Sequence, residues 1–379
     1  MITAMRLLFI FSLLFSVKGT YAQTETLPAV PYRNTEWRRL ASVNVGDTFQ
    51  LYISLPDGYH PDSATRYAAI YLTDADYSFG MTKDIANYLA LGKKIPPHIL
   101  VGIAYGGSIG NWGQKRQRDF LPVVNKDIYL SGGAPKFAAF LEQELVPYID
   151  SLYRTNKKDR ALIGMSYGGV FASYMLLQHP GLFKRYIVGT TPFRYENGLL
   201  FGYEKQYAET HKDMPAKVYA SMGGAETYAL NEFDSFSKKL QGRAYKSLRF
   251  KSEVLPDEVH ESVGGGTLAR GLRWIYENYF YEDKTIAQLR PDVLWQYAGK
   301  YHFNGFNITI HPKEASLLLK VENDGSEMEI YPESETVFFS KKDPIEFRFQ
   351  IENKKATGFT FTGKGEMQFT RTAESKGKK

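Results

Sequence analysis

From Thr48 to about Phe280 the chain alternates short apolar runs, rich in β-branched and aromatic residues, with longer amphipathic stretches. The short runs predict strands at Phe49–Leu55, Tyr67–Thr73, Ile99–Ala104, Ala161–Gly164, Tyr186–Gly189, Val218–Met222 and Leu248–Leu255. Between the third and fourth of these, Phe137, Phe140, Leu141, Leu145, Tyr148, Ile149 and Leu152 recur at helical spacing, which predicts a helix from Pro135 to Tyr153. Pro147 inside it predicts a kink, because proline lacks the N–H the helix needs. Strands alternating with helices predict an α/β fold: a mostly parallel sheet covered on both faces.

Past Phe280 the period changes. Glu282 to Leu294 reads as a linker with a short helix, and from Tyr297 the pattern is short strands with polar turns. Ile345 to Ile351 alternates apolar and polar residues without a break, so one face is buried and the other wet. Neighbouring strands are predicted at Ser316–Val321, Glu327–Tyr331, Thr336–Phe339, Phe359–Phe361 and Met367–Thr370. The predicted organisation is an α/β domain over 23–280, a linker over 281–296, a smaller all-β C-terminal domain over 297–373 and a disordered tail over 374–379.

The first residues have a different character. Arg6 precedes the apolar run Leu7–Val17, and Thr20-Tyr21-Ala22 supplies small residues before a cut, which predicts a signal peptide over 1–22. The run is well short of the roughly 18 residues a membrane span requires, so no transmembrane span is expected. The expected location is periplasmic or secreted.

Composition narrows the chemistry. The 379 residues include no cysteine, which removes disulfides, thiolate zinc sites and a cysteine nucleophile together. The formal charge of +6 falls to +4 on loss of the leader, because Arg6 and Lys18 go with it (6 − 2). The basic residues are dispersed rather than clustered beside exposed aromatics, so nucleic acid is not an indicated partner. No H-E-x-x-H or comparable pattern is present, and neither a metal nor a cofactor is expected.

Against that background one segment stands out: Gly164-Met165-Ser166-Tyr167-Gly168-Gly169, between a predicted buried strand and a predicted helix. Strand, G-x-S-x-G and helix in that order is the context of a nucleophile elbow, where a serine on a strained turn exposes its hydroxyl. A serine needs a base, and in this architecture the order is serine, acid, histidine. Of seven histidines, His60 and His98 precede the serine, His179 ends the elbow helix, His302 and His311 lie in the β domain, and His211 follows no strand. His260 remains, in a loop after the last predicted strand, where open α/β sheets place their sites. Glu226, after the Val218–Met222 strand, is the first choice of acid, with Asp257 and Asp234 as alternatives. The oxyanion hole is expected from the backbone amides of Tyr167 and Asp76.

These stations, with Leu55-Pro56-Asp57-Gly58-Tyr59, Tyr71-Leu72-Thr73-Asp74-Ala75-Asp76 and Arg116-Gln117-Arg118-Asp119-Phe120-Leu121-Pro122, resemble an esterase family of the α/β-hydrolase fold. The family includes siderophore trilactone esterases, S-formylglutathione hydrolases, feruloyl and acetylxylan esterases and mycolyltransferases. The resemblance spans about Thr48 to Phe280 and implies ester hydrolysis through an acyl-enzyme, with Ser166, His260 and an acid at or near Glu226. Met165 and the segment Thr190-Thr191-Pro192 depart from the siderophore esterases, which often have His before the serine and Ser-Pro-Ser after the next strand. The β domain, opening Tyr297-Ala298-Gly299-Lys300-Tyr301, is similar to modules appended to β-lactamase-type serine hydrolases.

Arg116, Arg118 and Arg194 are candidates to make the cleft positive and suited to an anionic ester, and Arg116, Arg194 and Tyr195 are the substrate-binding candidates; for Arg118 an internal ion pair with Asp119 is the preferred reading. Tyr105, Trp112, Phe193 and Tyr195 are candidates for an aromatic pocket. The expected partner is a small-molecule or carbohydrate ester, with the β domain a candidate for contact with glycan or envelope. An acyltransferase and a non-catalytic binding protein on the same scaffold are the alternatives.

Overall fold

The computed structural model describes residues 32–281, 284–363 and 365–372; the predicted leader, 1–22, and tail, 374–379, lie outside them. Eight strands form the first sheet: β1 (Thr35–Ser42), β2 (Asp47–Ser54), β3 (Tyr67–Leu72), β4 (His98–Ala104), β5 (Thr155–Met165), β6 (Arg185–Gly189), β7 (Lys217–Gly223) and β8 (Arg249–Leu255). Their order is β1-β2-β4-β3-β5-β6-β7-β8. The hairpin β1–β2 joins β4 antiparallel, and from β4 to β8 every pairing is parallel. All seven predicted strands of this region are present. β1 is additional, and β5 begins earlier than its apolar end suggested.

Every residue of β3, β4 and β6 is buried, as expected of parallel strands covered on both faces. Helices α1 (Ala75–Leu91) and α8 (Val263–Ile275) supply Ala75, Ala86, Leu268, Leu272 and Ile275 to one apolar layer. The other face is covered by α2 (Ile109–Phe120), α3 (Ala134–Phe140), α4 (Val146–Leu152), α5 (Tyr167–Gln178), α6 (Tyr195–Thr210) and α7 (Leu230–Gly242). The predicted kink takes a particular form: between α3 and α4 the residues Leu141–Leu145 make a π turn, so the helix widens just ahead of Pro147 rather than breaking at it.

After the short helix α9 (Pro291–Leu294), strands β9 (Gly299–Phe303), β10 (Phe306–Lys313), β11 (Ser316–Val321), β12 (Glu327–Pro332), β13 (Val337–Ser340), β14 (Glu346–Glu352), β15 (Lys355–Thr362) and β16 (Glu366–Arg371) close into an antiparallel barrel. Phe347 and Phe349 point inward while Arg348 and Gln350 are exposed, the alternation read in the sequence. Tyr301, Phe338, Phe359 and Phe369 join them in the barrel core. The last pairing, Thr370 with His302 and Arg371 with Tyr301, closes the ring.

The barrel meets the α/β domain through Lys93, whose Nζ donates to the Gly363 carbonyl at 2.7 Å, and Lys94, 3.8 Å from Asp343. Both lysines follow α1, whose 17 residues span about 25 Å, so this contact lies at the end of α1 away from its first turn.

Candidate active site

Five parallel strands end at one rim of the sheet, and the loop after each delivers a polar group. β3 leads to Asp74, β5 to Ser166, β6 to Thr190, β7 to Glu226 and β8 to His260. Asp74, Ser166, Thr190 and His260 line one cavity of about 530 Å³, together with Leu72, Tyr77, Met81, Trp112, Arg116 and Met165.

Ser166 sits between β5 and α5 at φ 55° and ψ −123°, a region costly for any residue with a Cβ. Its amide donates to the Gly189 carbonyl at 2.9 Å, while its own carbonyl accepts from Gly169 and Val170 as α5 begins. The surrounding glycines make the turn sterically feasible. A Cβ on Gly164 would lie 2.0 Å from the Gly168 carbonyl oxygen, and one on Gly168 would lie 2.5 Å from Thr73 Oγ1.

Of the three candidate acids, Glu226 is the one bonded to His260: its Oε2 accepts from His260 Nδ1 at 2.8 Å. Asp234 instead pairs with Lys238 on the exposed side of α7, and Asp257 occupies a left-handed turn at φ 60°. Glu226 is 3% exposed, and four donors converge on it. Oε1 accepts from the Gly223 amide at 3.0 Å and from the Thr190 hydroxyl; Oε2 accepts from Tyr228 at 3.1 Å besides His260. Burial pushes its pKa up, and the bonds from Thr190, His260 and Gly223 overcome that and hold it below the usual glutamate value. With Nδ1–H committed to the carboxylate, a neutral His260 carries its lone pair on Nε2.

The two loops carrying this pair are tied by main chain. Gly224 N donates to the Leu255 carbonyl at 2.7 Å and Ala225 N to that of Glu258 at 3.0 Å.

Thr190 was not among the sequence-predicted site residues. Its Oγ1 lies 3.0 Å from His260 Nδ1 as well as on Glu226, and the backbone is at φ 43°, a marked departure for a buried β-branched residue. Its only sequence signal is position, directly after a buried strand and ahead of Thr191-Pro192.

The other expected site residues lie as follows. Arg116 lines the cavity, but it is no free cation: Nε and Nη2 reach Asp74 at 2.6 and 2.9 Å, and the guanidinium lies over the Tyr167 ring at 5.4 Å. Arg194 is not brought to the cavity; it is exposed and pairs with Glu232 at 3.0 Å. Tyr195 is buried beneath, its hydroxyl on the Val123 carbonyl at 3.1 Å. Asp76 falls in the first turn of α1 with its carboxylate on the amides of Tyr105 and Gly106 at 2.8 and 2.6 Å, and Asp74, in a left-handed turn at φ 55°, is the residue of that segment on the cavity wall. Tyr167 opens α5 directly after the serine. Arg118 pairs with Asp119 at 2.7 Å and with Asp47 at 3.0 Å.

Residues 42–227 match the family model described as Putative esterase. That span carries the pattern of the esterase family. Ferri-bacillibactin esterase BesA of Bacillus subtilis is 27% identical over 259 residues, 63% of this chain and 89% of that protein. The crystal structure of the BES protein from Bacillus cereus, also 27% identical, superposes with a TM-score of 0.61 over 66% of this chain and 98% of that one. An IroE-like serine hydrolase from Shewanella oneidensis, 26% identical, gives a TM-score of 0.58 over 66% and 82%. This esterase is therefore a carboxylic ester hydrolase on an α/β-hydrolase scaffold, which answers the alternative of a non-catalytic binding protein. The matched span contains Ser166 and Glu226 and ends before His260, whose role rests on its bond to Glu226.

Proposed function

We propose that the protein is an exported serine esterase in which Ser166 is the nucleophile, His260 the general base and Glu226 its orienting acid. The observation that carries this is the 2.8 Å contact from His260 Nδ1 to Glu226, made while His260 and Ser166 line the same cavity. Ser166 Oγ attacks the ester carbonyl carbon and its proton passes to His260 Nε2. The tetrahedral oxyanion collapses to an acyl-enzyme as the alcohol leaves with that proton, and water, activated by the same histidine, releases the acid. The lowered pKa of Glu226 keeps it anionic throughout, so it stabilises the imidazolium of each step. The Tyr167 amide and the backbone of the turn at Asp74 are the donors for the oxyanion. Thr190 acts through Glu226 and His260 as a positioning residue.

Export rests on the leader read over 1–22, and the division into a catalytic domain to about residue 280 and a β domain from 297 follows the change of pattern. The test is a fluorophosphonate probe applied to wild type and Ser166→Ala. Labelling of wild type alone, with loss of ester turnover in the variant, is expected; an unlabelled wild type overturns the nucleophile.

A further inference from the structure

The charge of the cleft differs from what its arginines suggested. Among the described residues, the charged side chains on the cavity wall are Asp74, Arg116 and Glu261, with His260 beside them. Arg116 is spent: its guanidinium is largely buried and held bidentate by Asp74, with Tyr167 and Phe120 rings packed against it. Arg118 and Arg194 are engaged elsewhere, with Asp119 and Glu232. Glu261 adds a negative charge at the edge, so a polyanionic substrate entering here meets a carboxylate and no uncommitted arginine of the three.

What the wall does present is apolar and adaptable. Met165, next to the serine, and Met81, on α1, both approach the start of α8: a Cβ on Gly264 would lie 3.4 Å from Met81 Cε and 3.6 Å from Met165 Sδ. Bare glycines there leave the thioethers facing the cavity, and Tyr77, 72% exposed, and Trp112 extend the same surface toward solvent. Two methionines and two aromatic rings around about 530 Å³ suit an aryl or medium-length alkyl group, with binding driven by burial of its apolar surface.

We infer that this site takes esters whose acyl and alcohol parts are uncharged and aromatic or aliphatic, and that it discriminates against polyanionic esters such as a ferric catecholate trilactone. With Arg116 cancelled by Asp74, the described residues put no uncommitted arginine or lysine on this wall. The inference rests on the serine-esterase reading above and goes on to name its substrate class.

The test compares the purified full chain on para-nitrophenyl hexanoate and on the mono-para-nitrophenyl ester of adipic acid, which share a leaving group and differ by a terminal carboxylate, and on a ferric catecholate trilactone. The neutral ester is expected to show kcat/KM about tenfold or more above either anionic one, mostly through KM. Asp74→Asn, which frees Arg116, and separately Met81→Lys at the cavity edge, are each expected to shift the ratio toward the adipate ester by about tenfold. Two variants at different places keep the test sound if one folds poorly. Anionic esters turned over as well as or better than the neutral one by wild type overturn the substrate class and leave the esterase reading standing. No turnover of any ester overturns the esterase reading, and the inference falls with it.

Discussion

The Thr190 hydroxyl donates to Glu226 Oε1 and lies 3.0 Å from His260 Nδ1, so one side chain touches both members of the acid–histidine pair. It holds the carboxylate in the orientation that the imidazole needs, and it does so from a strained backbone at φ 43°. Thr190→Val removes the hydroxyl and keeps the shape. A hydrogen bond to a charged group contributes about 1.5–3 kcal/mol, so kcat is expected to fall roughly 10- to 100-fold with KM nearly unchanged. Thr190→Ser is expected to restore most of it. The measurement is kcat per titrated active site: a Thr190 that only supports folding would reduce the number of active sites and leave that rate intact.

Asp74 and Arg116 form a mostly buried ion pair that ties the loop after β3 to α2, and the guanidinium also lies over Tyr167 at the start of α5. Arg116→Ala strands a carboxylate beside the elbow and is expected to cost about 3 kcal/mol of stability. Removing both partners is expected to cost less than the sum of the single changes, which a double-mutant cycle by chemical denaturation checks.

His98 on β4 is buried against the Pro96 carbonyl, and burial lowers its pKa from 6.5 to about 4. The unfolded chain binds this proton at higher pH than the folded one. The stability it supports is therefore complete above 6.5 and drains as pH falls toward 4, by about 3 kcal/mol in all. Urea denaturation of wild type and His98→Gln across that window is expected to show this slope in wild type and its reduction in the variant.

Much of this was legible in the chain. The parallel strands follow from alternating apolar runs, and the serine and histidine follow from an elbow motif and the order of groups along an α/β-hydrolase. What escaped has physical reasons. β1 reads Thr-Glu-Trp-Arg-Arg-Leu-Ala-Ser because an edge strand with a wet face has no apolar run to announce it. Barrel closure pairs Arg371 with Tyr301, a contact between distant parts of the chain that no local period encodes. The arginines were visible as charges, but their partners were not: Asp74 lies 42 residues from Arg116, and only the fold shows that the pair cancels. Thr190 carries no periodic signal, since its importance comes from three strand ends meeting at one point.

In the proposed reaction the acyl group passes through Ser166. Rapid acid quench of the enzyme with para-nitrophenyl hexanoate, followed by mass spectrometry of its peptides, measures this directly. A hexanoyl adduct is expected on the peptide containing Ser166, accumulating further in His260→Gln as deacylation slows relative to attack by an activated ester. A peptide that never carries the acyl group, together with a Ser166→Ala enzyme that still turns the ester over at the wild-type rate, would contradict it.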